Sequence, residues 1–93
     1  MEFEFDPGKS AANHRKHGID FIRAQALWDD PARVDIPART TDEPRVLVVG
    51  KIGQTYWSAV VTERQGHLRI ISVRRARKEE VAIYESEGLR QEI

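Results

Sequence analysis

Three β-rich runs, Val46–Ile52, Thr55–Glu63 and Leu68–Arg74, follow one another with only short links containing Gly53-Gln54 and Gln65-Gly66 between them. A parallel pairing needs a crossover of a dozen or more residues, which such links cannot supply. The three runs must therefore pair as antiparallel hairpins. Their Val, Ile, Tyr, Trp and Thr side chains suit a pleated surface. The rest of the chain has to fold around this meander.

Upstream, Glu2-Phe3-Glu4-Phe5-Asp6 alternates with the period of a half-buried strand. Asp6-Pro7 gives a helix start, with Asp as N-cap and Pro at the first helical position. Gly18 is suited to end that helix near His17. Asp20 predicts the cap of a second helix, in which Phe21, Ala24, Leu27 and Trp28 recur at helical spacing, and Asp29-Asp30-Pro31 stops it. A short strand is expected at Val34–Ile36 and then an exposed loop. A last helix is expected from Arg77 to about Gly88, with Val81 and Tyr84 on one face. The order β-α-α-β-β-β-β-α indicates an α+β fold: an antiparallel meander with two N-terminal helices and one C-terminal helix. The 93 residues fit one domain, 1–93, with 89–93 expected to be a mobile tail.

The chain has no cysteine, which excludes disulfides and thiolate metal sites and fits a reducing compartment. No apolar run approaches the roughly 18 residues of a membrane span. The acidic, alternating start is unlike a signal peptide, so a cytoplasmic protein with no membrane partner is expected. Net charge is zero, from 15 basic and 15 acidic residues, which argues against a general nucleic-acid coat protein. The basic residues are unevenly placed. Arg64, Arg69, Arg74, Arg75, Arg77 and Lys78 fall in one stretch with no acidic residue. A neutral chain with one basic stripe suits a localised anionic ligand.

Arg74 and Arg75 leave the last strand on opposite sides, beside a helix start whose N–H groups favour anions. Arginine binds phosphate oxygens in bidentate geometry. Glu80 and Tyr84 lie four apart on the final helix and share a face. If that face looks back at the strand end, a carboxylate and a phenol meet two arginines. Cutting RNA needs such a mixture: a base for the ribose 2′-OH, an acid for the leaving 5′-oxygen and cations for the phosphorane. The competing reading of Glu80 is an ion pair that fastens helix to strand. His14 and His17 are three apart, but no Cys or Glu-x-x-His signature accompanies them, so no metal site is expected, and there is no carboxylate cluster for magnesium. His17 suits a cation at a helix C-terminus, with an acid–base role as its functional alternative. Phe3, Phe5, Phe21, Trp28 and Trp57 read as core, leaving Tyr56 and Tyr84 as the aromatics able to face a ligand.

The stretch Phe-Asp-Pro-Gly-Lys-Ser-Ala-Ala-Asn-His-Arg-Lys-His-Gly-Ile-Asp-Phe at residues 5–21 resembles the opening of the BrnT toxin family. So do Trp-Asp-Asp-Pro at 28–31 and Arg-Ile-Ile-Ser-Val-Arg-Arg-Ala at 69–76, followed by a glutamate and a tyrosine in the last helix. The resemblance runs to about Tyr84. It implies a RelE-like ribonuclease fold and a toxin of a type II toxin–antitoxin pair that arrests growth by cutting RNA without a metal or other cofactor. It further implies a BrnA-like antitoxin that carries a DNA-binding domain, so that DNA is met only through the complex. By position, the family's strand arginine corresponds to Arg74, its helix residues to Glu80 and Tyr84, and its Lys-His-Gly element to Lys16, His17 and Gly18. Arg64 is a weaker match. RNA contacts are expected from Arg64, Arg69, Arg75, Arg77, Lys78 and Lys16. The alternative is an inactive relative that binds RNA or the antitoxin within an autoregulatory complex.

Overall fold

The computed structural model describes residues 2–38 and 43–91, with side chains as far as residue 88. Three strands form where the β-rich runs place them: β3 (Arg45–Ile52), β4 (Thr55–Arg64) and β5 (His67–Arg75). They pair antiparallel in sequence order. The links turn through left-handed residues, Gly53 at φ 62° and Gln65-Gly66 at φ 52° and 83°. β2 (Val34–Ala38) runs longer than the expected Val34–Ile36 and pairs antiparallel with β3 at the sheet edge.

The first strand corrects the antiparallel expectation. β1 (Phe3–Glu4) pairs parallel to β5, giving a five-stranded mixed sheet in the order β1-β5-β4-β3-β2. The sixty-odd residues between β1 and β5 supply the connection that a parallel pair needs, and the alternation of Glu2–Asp6 carries no information about direction.

The helix α1 (Pro7–His17) begins and ends as its residues dictate. The Asp6 carboxylate accepts the Gly8 N–H at 2.9 Å, and Gly18, at φ 80°, donates its N–H to the His14 carbonyl at 2.9 Å. The second helical segment is a 3-10 helix over Arg23–Asp29 rather than an α-helix. Its N-cap is Ile22 rather than the expected Asp20, whose carboxylate nevertheless accepts the Arg23 N–H at 2.7 Å. The segment is seven residues long and ends at Asp29, two residues before Pro31, as suits a short, tight helix. The last helix, α2 (Lys78–Gln91), passes the expected end at Gly88. The tail expected at 89–93 falls on residues whose side chains, and for 92–93 the backbone too, lie outside the described residues. No described helix is long and apolar enough to cross a membrane.

A β-bulge separates the Val60↔Ser72 pair from the Val61↔Ile70 pair. The extra residue shifts the alternation of β5, so Ile70 and Val73 both enter the same core. Strict alternation would put these two on opposite faces. That core joins Ile19, Phe21, Ala24 and Leu27 to Val48, Ala59 and Val61 of the sheet. The α1 segment contributes polar groups to it. Ser10 Oγ accepts the Phe21 N–H at 2.9 Å, and the Asn13 amide spans the edge of β5. It donates to the carbonyls of Val73 (2.9 Å) and Ile19 (2.8 Å) and accepts the Val73 N–H at 3.1 Å. Asn13 thus replaces a strand partner where β1 has ended.

Candidate functional site

After the bulge, Arg74 lies opposite Ser58 and Arg75 opposite Trp57. Neighbours on a strand point to opposite faces. Arg74 and Ser58 therefore share the face that α2 covers, and Arg75 and Trp57 share the other. The start of α2 fixes the first group. Glu80, one turn into the helix, turns its carboxylate back onto the Arg77 N–H at 2.8 Å, the return half of a capping box. The same carboxylate accepts Ser58 Oγ at 2.8 Å and both terminal nitrogens of Arg74 at 2.8 Å. Ser58 is fully buried and Glu80 only 7% exposed. The Arg74 donors, helped by Arg77 N–H and Ser58 Oγ and opposed by burial, hold Glu80 down at about 2. Glu80 in turn raises the Arg74 value.

Arg74 also donates from Nη1 to the Arg75 carbonyl at 3.2 Å. Its Nε proton and one Nη2 proton have no protein acceptor among the described residues, and the side chain is 26% exposed. That outer edge can donate to a phosphate oxygen.

Tyr84 follows Glu80 by one turn but bonds no arginine among the described residues. Its hydroxyl donates to Asp30 Oδ2 at 2.8 Å, and burial, then the Asp30 acceptor and its charge, push the phenol up to about 12. Asp30 also accepts the free edge N–H of Lys51 at 2.9 Å and the Ala32 N–H at 2.8 Å. Burial would raise the Asp30 carboxyl, yet these donors, the Tyr84 hydroxyl and the Lys51 charge together leave it below its ordinary value. An open cleft of about 340 Å³ lies here, lined by Asp29, Asp30, Lys51 and Tyr84 among others. Asp30 is a site residue that the sequence reading used only as a helix stop. Its signal was the Asp-Asp-Pro triplet, which is also ordinary stop chemistry.

The basic stretch divides into paired and unpaired residues. Arg64 pairs with Glu43 at 3.3 Å, and Arg69 approaches Glu4 at 3.9 Å. Both sit toward the far end of the sheet, Arg64 six residues along β4 from Ser58, or roughly 20 Å at strand spacing. The structure does not bring them to Arg74. Arg75, Arg77 and Lys78 are exposed at the near end and have no acidic side-chain partner among the described residues. Lys16 is exposed and His17 half-buried in the last turn of α1. His17 lies one turn beyond Asn13, the residue that grips Val73, but no described hydrogen bond ties it to Arg74. Among the described residues no three His, Cys, Asp or Glu side chains gather as a metal site would require.

A family model described as the ribonuclease toxin BrnT of type II toxin–antitoxin systems matches residues 5–80. The match begins at Phe5 and ends on Glu80, so it takes in α1, the sheet from β2 onward and the Arg74–Glu80 pair. Comparison with curated proteins gives no match.

Proposed function

The chain belongs to the BrnT family of type II toxin–antitoxin ribonuclease toxins, and from that premise we propose that it is a metal-independent endoribonuclease with a RelE-like fold, whose RNA site is the Arg74 end of the sheet. The observation that carries this reading is the forked Arg74–Glu80 pair beside Arg75, Arg77 and Lys78, which have no acidic partner among the described residues. Arg74 contacts the scissile phosphate with its free edge and stabilises charge that grows on the phosphorane. Glu80 is a poor base at its depressed value, and we assign it to positioning: it holds Arg74 flat against the sheet through Ser58 and the α2 cap. Arg75, Arg77 and Lys78 bind flanking phosphates, and Lys16 extends them across α1. His17 has the right chemistry for proton transfer, and Tyr84 that of a hydroxyl donor released from Asp30 when RNA enters the cleft.

In this proposal the enzyme acts in the cytoplasm as one domain, arrests growth, and is held in check by a BrnA-like antitoxin made alongside it. DNA is met only through that complex. A second reading has one specific support: Arg74 and Glu80 neutralise each other and Tyr84 is tied to Asp30, as suits an inactive relative that only binds RNA or antitoxin. One assay separates the two. Purified chain with RNA in EDTA should yield 2′,3′-cyclic phosphate ends and downstream 5′-hydroxyls. Intact RNA after incubation with folded protein supports the binding module, and a magnesium requirement with 5′-phosphate products overturns the proposed chemistry.

A further inference from the structure

The chain has seven aromatic rings, three Phe, two Trp and two Tyr. Six of them form three edge-on pairs: Phe3 with Trp28 at 4.9 Å between centroids, Phe5 with Phe21 at 5.8 Å, and Tyr56 with Tyr84 at 5.3 Å. Trp57 is the ring with no ring partner among the described residues. Its neighbour is a cation: the Arg75 guanidinium sits 5.5 Å from the ring centroid. Trp57 is half-buried, packed on one side against the core, and its indole N–H has no acceptor among the described residues. Arg75 is exposed and has no acidic side-chain partner among the described residues.

We propose that Trp57 and Arg75 form a stacking subsite for one base of single-stranded RNA, on the sheet face opposite Arg74. The inference rests on the ribonuclease reading and goes beyond it by assigning a base contact. The other two aromatics at this end of the sheet are committed: Tyr56 packs on Tyr84, and their hydroxyls reach Glu85 and Asp30. Trp57 alone offers a ring to an unstacked base, and an arginine plane beside an indole is the combination that holds such bases in single-stranded RNA. Shielding of the ring by the Arg75 stem explains the packing. It does not require a bare guanidinium one residue from the phosphate-facing arginine. Because Arg74 and Arg75 lie on opposite faces, an RNA bound by both crosses the end of the sheet, its phosphate on the Arg74 side and a base on Trp57.

The test uses the full chain with a short 2′-O-methyl RNA, which cannot be cut, beside a cleavage assay on ordinary RNA. Trp57→Leu should weaken binding about 5- to 150-fold, the range for losing one stacked base, and Trp57→Phe should recover part of it. The slope of log affinity against log salt should stay as in wild type for Trp57→Leu and fall by about 0.7 for Arg75→Ala, which removes one charge. An RNA with one base removed should bind wild type more weakly at a single position and make no further difference to Trp57→Leu. Since Trp57 also touches the core, the exposed Arg75→Ala variant keeps the test open if Trp57→Leu fails to fold: it too should abolish the penalty for the missing base. A wild type that cuts RNA while folded Trp57 or Arg75 variants bind as tightly, with no position sensitive to base removal, overturns the inference alone. So does a Trp57 variant that loses only antitoxin binding. A wild type that neither binds nor cuts RNA overturns the ribonuclease reading as well.

Discussion

The Glu80 carboxylate meets four donors, two from Arg74 and one each from Ser58 and Arg77. Glu80→Gln turns one of its two oxygens into an NH₂ group that must face one of those donors. Breaking a buried charged pair costs about 3–5 kcal/mol, and a shift of that order should appear in urea unfolding. The sign of the pH effect follows from the depressed value. Glu80 sits at about 2 against an ordinary 4.5, so its contribution is complete above about 4.5 and is lost as pH falls toward 2. The stability gap between wild type and Glu80→Gln should therefore shrink across that window. A gap that widens on acidification would mean that the carboxylate is not held by these donors. At a strand end Arg74 would ordinarily be exposed, and its removal would change stability by no more than about 0.5 kcal/mol. Its half-buried side chain and forked partner reverse that. Arg74→Ala should both destabilise the chain and abolish cleavage, so Arg74→Lys is the better probe. It keeps the charge, loses the fork, and should lower the cleavage rate about 10²–10³-fold if oriented charge is what matters.

At the scale of elements, two side chains dock helices onto the sheet. Asn13 ties α1 to the strand position just before Arg74, and Asp30 ties Tyr84 of α2 to the edge of β3. Asn13→Ala leaves a buried N–H and two carbonyls unpaired, at about 1–3 kcal/mol each before water compensates. A fall in stability of about 3 kcal/mol or more is expected by chemical denaturation. Tyr84→Phe tests α2: it should cost about 1 kcal/mol by the same measurement, and it should slow cleavage only if the hydroxyl takes part in the reaction. The sheet core was legible because hairpin links and β-rich runs are local signals, and the strand limits agree within a residue or two. The caps at Asp6 and Gly18 were legible for the same reason. What was not legible depends on distant partners. The parallel β1–β5 pair, the bulge that puts Ile70 beside Val73, and the use of Asn13 as a strand substitute leave no local mark. At the site, Glu80 was readable as an ion-pair partner from its spacing, whereas the Tyr84–Asp30 contact joins residues 54 apart and could not be read.

Over the whole molecule, pairing turns a basic stretch of sequence into a basic end of the fold. Arg64 and Arg69 meet Glu43 and Glu4, Arg74 meets Glu80, and Arg75, Arg77 and Lys78 are left as exposed cations around one edge. Type II toxins pair with an antitoxin protein, and the surface proposed to bind RNA is also the surface where an acidic or amphipathic antitoxin segment would block it best. Complementary charge there speeds association and makes it salt-sensitive. A segment that orders only on binding could wrap this end and be cleared by proteolysis. The expected outcome is competition: RNA and antitoxin should exclude one another, and Arg75→Glu with Arg77→Glu should weaken both. Neither side chain carries a buried hydrogen bond, so the double variant should fold, which thermal unfolding can verify. Antitoxin affinity should fall by more than tenfold at low salt, and its dependence on salt should flatten, since the two charges that drove it now repel. An antitoxin that binds the folded double variant with wild-type affinity and salt dependence, while RNA binding is lost, would place the inhibitor on another face and make its action indirect.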